Sequence, residues 1–342
     1  MTAAGRAPRS EEELEEALSR PSAALAATLA RVPGDLLILG AGGKMGPSLA
    51  RMARRADPAR RVVAVSRWTS DAAEAALRSA GVQTLRADLR DQRSLAELPD
   101  APNVVFMAGQ KFGTSGSPAT TWAMNAAVPA FVAERFAGAR IVAFSTGNVY
   151  ALTPSAGGGA SESDDPAPVG EYAWSCLARE RLFAAGSARH GTPVAIVRLN
   201  YAHALRYGVL TDLAVRIVAR QPVDLAMGHV NVIWQGDANA LALAALAHAA
   251  APEPYVVNVA GSDVLRVADL ASALGTRLGI EPDFTGTERP DALLSRATRM
   301  RELLDHPLMP LDTLLDWVAD WVARGGALLG KPTGFERRDG RF

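Results

Sequence analysis

Short apolar runs alternate with amphipathic segments along the chain from about residue 35 onward. The runs suit buried strands, and the segments between them repeat apolar residues at the three- and four-residue spacing of helices. This alternation predicts an α/β fold in which a parallel sheet is covered by helices on both faces. The predicted strands are 35–39, 61–65, 82–86, 103–107, 140–145, 194–198 and 255–259. The predicted helices are 44–56, 71–80, 119–137, 173–189, 208–220, 237–250, 266–279 and 311–324.

A glycine-rich turn follows the first predicted strand. Gly40, Gly43 and Gly46 recur at every third position between an apolar run and a helical segment. Glycine permits a tight turn and a close approach by phosphate, and a helix N-terminus offers N–H groups and a partial positive charge. A second strand follows at the distance expected of a βαβ unit, so the turn is typical of a dinucleotide site. The residues expected at the pyrophosphate are Gly40, Gly42, Gly43, Lys44, Met45 and Gly46.

Two further helices are predicted before the first strand. Ser10 and Glu13 form a capping box for a helix from about 11 to 19, and Ser19 with Pro21 can begin a second that reaches about Arg31. We therefore predict a Rossmann-type doubly wound sheet with an N-terminal helical extension and a smaller C-terminal substrate-binding region. The predicted divisions are 1–34 for the extension, 35–200 for the dinucleotide-binding domain and 201–342 for the mainly substrate-binding region, of which about 237–260 returns to the dinucleotide-binding domain.

Composition narrows the set of expected partners. Lys plus Arg and Asp plus Glu each number 36 in 342 residues, so charge gives no reason to expect nucleic acid or a membrane surface. No apolar stretch approaches the ~18 residues of a membrane span. The single cysteine, Cys176, fits a reducing, cytoplasmic compartment. The five histidines lack metal-ligand spacing, so we expect no metal. Only three lysines occur, Lys44, Lys111 and Lys331.

Further landmarks follow the glycine turn in a fixed order along the chain. They are Ala87–Asp91, Val104–Gly109, Asn125, Phe144–Tyr150, Tyr172, Arg198–Tyr201, Gly236–Asp237 and the run Arg289–Leu304. With these landmarks, residues 35 to 320 or so resemble the extended short-chain dehydrogenases/reductases, the NAD-dependent epimerase/dehydratase family. The N-terminal helices and the tail Gly330–Glu336 lie outside the common family pattern.

The resemblance assigns the chemistry to a tyrosine and a hydroxyl side chain. It implies that Tyr172 is the general acid/base at a carbinol or carbonyl carbon and that Thr146 hydrogen-bonds the same oxygen, with Ser145 adjacent and able to assist. The nicotinamide would accept or return the hydride. The resemblance also implies a lysine four residues after the tyrosine, where this chain has Cys176.

A thiol supplies no cation, and an unassisted tyrosine with a pKa near 10 is seldom a phenolate at pH 7. Three interpretations follow. Lys111, in the loop after the fourth strand, replaces the missing charge; or the oxidised cofactor's positive ring and backbone dipoles suffice for a slower reaction; or redox chemistry is lost. Cys176 as a nucleophile is a fourth idea, but a lone thiol on a helix is more often inert packing.

The end of the second strand bears on the choice of cofactor. NAD sites usually place a carboxylate there for the ribose hydroxyls, whereas this chain has Ser66 and Arg67. Arg67 can pair with a 2′-phosphate, so we predict NADP in preference to NAD, the alternative being that Arg67 stacks on adenine without selecting either. The other cofactor contacts that the resemblance implies are Asp88, Leu89, Ala108, Gly109, Asn125, Leu199 and Asn200.

The expected reaction is epimerisation, or oxidation or reduction of a hydroxyl carbon, on a sugar or sugar derivative. By resemblance, dehydratases have Asp and Glu where Gly147 and Asn148 follow Thr146, so dehydration is not expected. The alternative function is a catalytically weakened, dinucleotide-binding regulatory protein. The resemblance also implies a homodimer formed through 119–137 and 173–189. Substrate contacts are expected from 110–118, 147–170 and 200–235, with candidates Asn200, His203, Arg206, Asn231 and Trp234.

Overall fold

A computed structural model describes residues 6–111, 113–114, 116–305 and 307–341. Among these, seven parallel strands form one sheet in the order β7-β6-β5-β4-β1-β2-β3. Each predicted strand is confirmed to within one residue at either end. The strands are β1 (Leu36–Leu39), β2 (Val62–Ser66), β3 (Gln83–Arg86), β4 (Asn103–Phe106), β5 (Arg140–Thr146), β6 (Val194–Leu199) and β7 (Tyr255–Val259).

Helices cover both faces of this sheet and continue beyond it. In the described residues they are α1 (Glu11–Leu18), α2 (Ala23–Ala30), α3 (Gly46–Ala56), α4 (Asp71–Ser79), α5 (Gln92–Ala96), α6 (Pro118–Trp122), α7 (Val128–Arg135), α8 (Gly170–His190), α9 (Val209–Val218), α10 (Gln235–Ala244), α11 (Val267–Leu278) and α12 (Leu311–Ala323). The short helix α5 was not predicted. The predicted helix 119–137 is interrupted, because the π-helical turn Ala123–Ala127 separates α6 from α7.

The sheet order reverses at β1, which lies between β4 and β2. Leu39 pairs with Val65 on one side and with Phe106 on the other, so the carboxyl ends of the three strands are level. All four residues of β1 are buried, as expected of a parallel strand covered on both faces. A crevice outside the carboxyl ends at such a reversal is where open α/β sheets bind ligands.

A second core lies beside the sheet. Helices α9, α11 and α12 pack on one another, and Trp321 and Phe335 are buried with them. We call this unit the small lobe. Strand β7 joins the sheet edge after the chain has entered the small lobe, and α10 packs on α3.

The N-terminal helices connect the two cores. Leu14 and Leu18 of α1 are fully buried in the core of the small lobe, whereas Leu25 and Leu29 of α2 are fully buried beside the sheet. The extension therefore packs against both units. Within the described part of the chain, no helix is both long and apolar enough to cross a bilayer.

Candidate active site

The glycine turn after β1 is shaped by close backbone contacts. Gly40 has φ +90°, and a Cβ there would lie 2.5 Å from the Ala108 backbone nitrogen. A Cβ on Gly46 would lie 2.2 Å from the Ala41 carbonyl oxygen. Both positions therefore require glycine.

Gly43 in the same turn faces open space. A Cβ there would have its nearest neighbour, the Gly40 carbonyl oxygen, at an ordinary 3.5 Å. Helix α3 begins three residues later with Pro47 in its first turn, and its N-cap Met45 has no side-chain cap. The turn and this helix N-terminus thus form a cradle whose donors suit a pyrophosphate. This arrangement fits the predicted dinucleotide site.

The carboxyl ends of β1, β5 and β6 meet around one cavity. Its lining includes Met45 from the glycine turn, Thr146 from β5 and Leu199 from β6. Tyr172 from α8 and Lys111 from the loop after β4 line the same cavity. The structure therefore brings together, at one cavity, residues that the sequence placed far apart.

Tyr172 is partly buried in this cavity, and its hydroxyl lies beside the side chains of Thr146 and Cys176. Burial raises the pKa of Tyr172 above its usual range, while the Thr146 hydrogen bond and the charge of Arg179 oppose that rise. The phenol is therefore protonated at neutral pH unless a further positive charge acts on it.

Lys111 lines the same cavity. Burial lowers the pKa of Lys111 to about 8, and the charges of Cys176 and Asp212 counteract the shift. Burial also raises the pKa of the Cys176 thiol, which Lys111 and Arg179 lower in turn. At pH 7 this corner of the cavity therefore holds a neutral thiol and a predominantly protonated lysine.

Arg179 is a buried cation that the sequence analysis missed. Its guanidinium donates to the Phe144 carbonyl at 2.7 Å and to Asn125 Oδ1 at 2.9 Å. It lies on α8 seven residues after Tyr172, which is two turns along the same helix face. This seven-residue spacing is the signal in the sequence that could have identified Arg179.

Asn125 connects this arginine to the loop that carries Lys111. Its Oδ1 accepts the Gln110 N–H at 2.8 Å, and its Nδ2 donates to the Gln110 carbonyl at 2.9 Å and to Ser175 Oγ at 3.0 Å. Asn125 sits in the π-helical turn between α6 and α7, a feature often found at functional sites. In this structure it therefore holds the residue before Lys111 against α8.

Ser145 faces a different network. Its hydroxyl donates to Glu180 Oε1 at 2.5 Å. Glu180 forms a buried ion pair with Arg198 at 2.7 Å, and Arg198 also donates to the Tyr150 hydroxyl at 2.6 Å. Ser145 lines the cavity, but its hydrogen bond connects β5 to α8 and β6 rather than to Tyr172.

The residues predicted to bind the adenosine of the dinucleotide lie at the end of β2 and in the loop after β3. Ser66 is close beneath the glycine turn, since a Cβ on Gly42 would lie 2.4 Å from its Oγ. Arg67 is exposed. The hydrogen bond from Arg90 is the main cause that lowers the pKa of Asp88 to about 2, and the charge of Arg67 lowers it further. Asp88 accepts from Arg90 Nη2 at 2.5 Å, and Leu89 is buried in the core.

Two of the predicted substrate contacts, Asn200 and Asn231, form hydrogen bonds within the protein. The Asn200 amide lines the cavity and donates to Asn231 Oδ1 and to the Leu293 carbonyl, both at 3.3 Å. Asn231 donates in turn to the Ser295 carbonyl at 2.6 Å. Both amides thus link the end of β6 to the small lobe.

The other three candidates lie outside the lining of this cavity. His203 is completely buried, and burial lowers its pKa to about 3. Arg206 pairs with Glu15 of α1. Trp234 packs edge-on against Trp317 with ring centroids 5.8 Å apart. In the loop 110–118, Phe112 and Ser115 lie outside the described residues.

The glycine cradle and the tyrosine–threonine pair agree with a comparison of sequences. Residues 36–260 match the NAD dependent epimerase/dehydratase family. The chain belongs to this family. No curated protein matched the sequence.

Solved structures share the fold of this family member. They include MoeE5 in complex with UDP-glucose and NAD, with 20% identity and a TM-score of 0.67. UDP-glucuronic acid 4-epimerase from Bacillus cereus in complex with NAD has 19% identity and a TM-score of 0.69. Pal from Bacillus thuringiensis has 17% identity and a TM-score of 0.72. Each match covers 85% of this chain and 99% of the other.

Proposed function

We propose that this family member is an NAD(P)-dependent epimerase or dehydrogenase acting on a hydroxyl or keto carbon of a sugar or sugar derivative. One observation carries the proposal: the Tyr172 hydroxyl lies beside the Thr146 side chain in a cavity that also reaches the glycine turn. A phenol and an alcohol that converge on one oxygen beside a hydride acceptor suit this reaction.

In this proposal Tyr172 takes the proton from the substrate hydroxyl on oxidation and returns it on reduction. Thr146 holds the same substrate oxygen, and its position is set by the bond between its Oγ1 and Asn148 at 3.0 Å. A bound dinucleotide supplies the hydride acceptor. Gly147 and Asn148 carry no carboxylate, which favours these reactions over elimination of water.

Lys111 is proposed to supply the positive charge that Cys176 does not. Its ammonium acts electrostatically on the Cys176 thiol beside Tyr172, and its pKa of about 8 keeps it charged at pH 7. Arg179, two turns after Tyr172 on α8, adds a second positive charge. Together they offset part of the penalty that burial imposes on a Tyr172 phenolate.

NADP is proposed as the preferred cofactor. Arg67 is exposed at the end of β2, and Asp88 nearby is already bonded to Arg90, so no carboxylate on these residues is left for the ribose hydroxyls. MoeE5 and the Bacillus cereus epimerase were solved with NAD. Titration with both dinucleotides therefore tests the preference directly.

A second candidate, a dinucleotide-binding regulatory protein without turnover, is favoured by the raised pKa of Tyr172 and the neutral thiol at Cys176. The two candidates separate in one experiment. The purified protein is scanned for retained cofactor and incubated with sugars, uronates and nucleotide sugars while absorbance of reduced nicotinamide and sugar products are measured. Turnover that is lost in Tyr172→Phe supports the enzyme, whereas binding of dinucleotide without turnover on the whole panel supports the second candidate.

A homodimer is proposed through α6, α7 and α8. Trp174 and Val169 are each 53% exposed and Trp122 is 39% exposed, and all three lie on or next to these helices. Exposed large apolar side chains grouped in this way are typical of an interface. Sedimentation of the wild type against Trp174→Glu tests the proposal, which predicts that the variant is monomeric.

A further inference from the structure

The C-terminal tail runs across the open side of the site. We call residues 327–341 the strap. The Leu329 N–H donates to the Arg206 carbonyl at 3.1 Å, and Thr333 donates through N–H and Oγ1 to Asp212 Oδ2 at 2.7 and 2.6 Å. Both anchors belong to the small lobe.

The end of the strap reaches the helix that carries Tyr172. Arg338 bonds the Asp291 carboxylate at 2.6 Å. A Cβ on Gly340 would lie 2.1 Å from the Val169 carbonyl, and one on Gly170 would lie 2.4 Å from the Gly340 carbonyl. The strap thus passes from the small lobe to the N-terminus of α8.

Two strap residues line the site itself. Lys331 shares one surface depression with Gly42, Gly43 and Lys44 of the glycine turn. Thr333 lines the cavity that contains Tyr172 and Thr146, and it is 6% exposed. The strap therefore adjoins both the predicted pyrophosphate position and the predicted reaction centre.

Positive charge is concentrated where the strap meets the glycine turn. Lys44 lies over the Tyr207 ring at 3.2 Å from its centroid. Burial and repulsion from Lys111 and Lys331 lower the pKa of Lys44 to about 7, and Asp212 counteracts this shift. Both other lysines of the chain, Lys111 and Lys331, therefore act electrostatically on Lys44.

Acidic residues also lie near these lysines, but several of them are bonded to other groups. Glu11, Glu12 and Glu15 line the same depression as Lys331, together with Arg51 and Arg206. Glu11 and Glu15 pair with Arg206. Asp212 is occupied by the two hydrogen bonds from Thr333. A bound anion between Lys44 and Lys331 would relieve their repulsion and raise the pKa of Lys44.

We propose that the strap is part of the dinucleotide site, in which Lys331 and Lys44 bind the pyrophosphate and Thr333 forms a wall of the reaction cavity. This proposal rests on the cofactor site of the proposed function. Because the strap is bonded to the small lobe and to α8, a bound dinucleotide is enclosed, and its exchange requires the strap to detach.

The first test measures dissociation constants for ADP-ribose, which carries the pyrophosphate, and for adenosine, which does not. Lys331→Met is compared with Arg337→Met, which removes an exposed charge whose guanidinium bonds the Arg341 carbonyl within the strap. The proposal predicts that Lys331→Met weakens ADP-ribose binding roughly fivefold to tenfold, as for a charged hydrogen bond at a partly open site, with adenosine unaffected. Arg337→Met should bind both ligands as the wild type does.

Equal affinity of Lys331→Met and wild type for ADP-ribose would overturn the role of Lys331. Failure of the wild type to bind ADP-ribose at all would instead overturn the proposed function. The two failures are therefore distinguishable.

The second test follows tryptic cleavage between Arg337 and Arg338 in the wild type. The proposal predicts that ADP-ribose slows this cleavage while adenosine at matched occupancy does not. Cleavage that is equally fast with and without ADP-ribose would contradict an enclosing strap.

Discussion

Lys111 and Cys176 approach closely enough for each to shift the pKa of the other. The Tyr172 hydroxyl, one helical turn earlier, lies close to this thiol. In the proposed mechanism, this cation from the loop after β4 replaces the lysine that the family resemblance implies at position 176. Asn125 stabilises this loop, because both the oxygen and the nitrogen of its side-chain amide bond the Gln110 backbone.

Replacing Lys111 should impair catalysis more than folding. Lys111→Met removes the charge beside Tyr172, and we expect turnover to fall roughly tenfold to a hundredfold, within the range of general acid–base effects. The pH profile of oxidation should move to higher pH, because the Tyr172 phenolate loses its stabilising cation. Steady-state rates from pH 6 to pH 10 or so provide the measurement.

A charge swap is the control for that result. Cys176→Lys combined with Lys111→Met moves the cation onto α8, one turn from Tyr172, and should recover part of the lost turnover. Lys111→Arg should retain most of it. Unchanged rates and an unchanged pH profile in Lys111→Met would exclude this lysine as the substitute.

Thr146 and Ser145 should behave differently although they are adjacent. Thr146→Val removes the hydroxyl that lies beside Tyr172, so turnover should fall with little change in dinucleotide affinity. Ser145→Ala removes a partner of the buried Glu180 and should lower the free energy of unfolding by about 1–2 kcal/mol, with a smaller effect on turnover. Chemical denaturation and rate measurements on both variants decide the assignment; the reverse pattern would contradict it.

Arg67 should contribute to binding of NADP but not of NAD. Arg67→Ala removes a guanidinium that can pair with the 2′-phosphate, and we expect the dissociation constant of NADP to rise roughly tenfold while that of NAD is unchanged. Fluorescence titration provides both constants. A wild-type protein that binds NAD more tightly than NADP would show that Arg67 does not select the cofactor.

Stability should rise with pH between about 7 and 9. Burial lowers the pKa of Lys44 to about 7 and that of Lys111 to about 8, below the values expected in the unfolded chain. In this window the unfolded chain binds more protons than the folded one, so raising the pH favours the folded state. Above about pH 9 the raised pKa of Cys176 opposes the trend.

Urea denaturation midpoints at several pH values test this dependence. Lys111→Met should show a smaller rise than the wild type, because one of the two buried lysines is gone. Identical profiles for the two proteins would contradict the shifted pKa of Lys111.

The sequence predicted the sheet well because each strand is a local apolar run, and β1 to β7 occur where those runs lie. It also predicted that Tyr172 and Thr146 would meet. It did not predict that Ser145 faces Glu180, or that Asn125 bonds Gln110, because both choices depend on side-chain packing between distant segments. The strap was equally beyond prediction, since Thr333 finds Asp212 through tertiary contacts that no periodic pattern records.

The most direct test of the account is a crystal structure of the protein with its dinucleotide. The account predicts the pyrophosphate at the Gly40–Gly46 turn and the nicotinamide beside the hydroxyls of Tyr172 and Thr146. Density for the dinucleotide elsewhere, or a Tyr172 hydroxyl turned away from the nicotinamide, would contradict it.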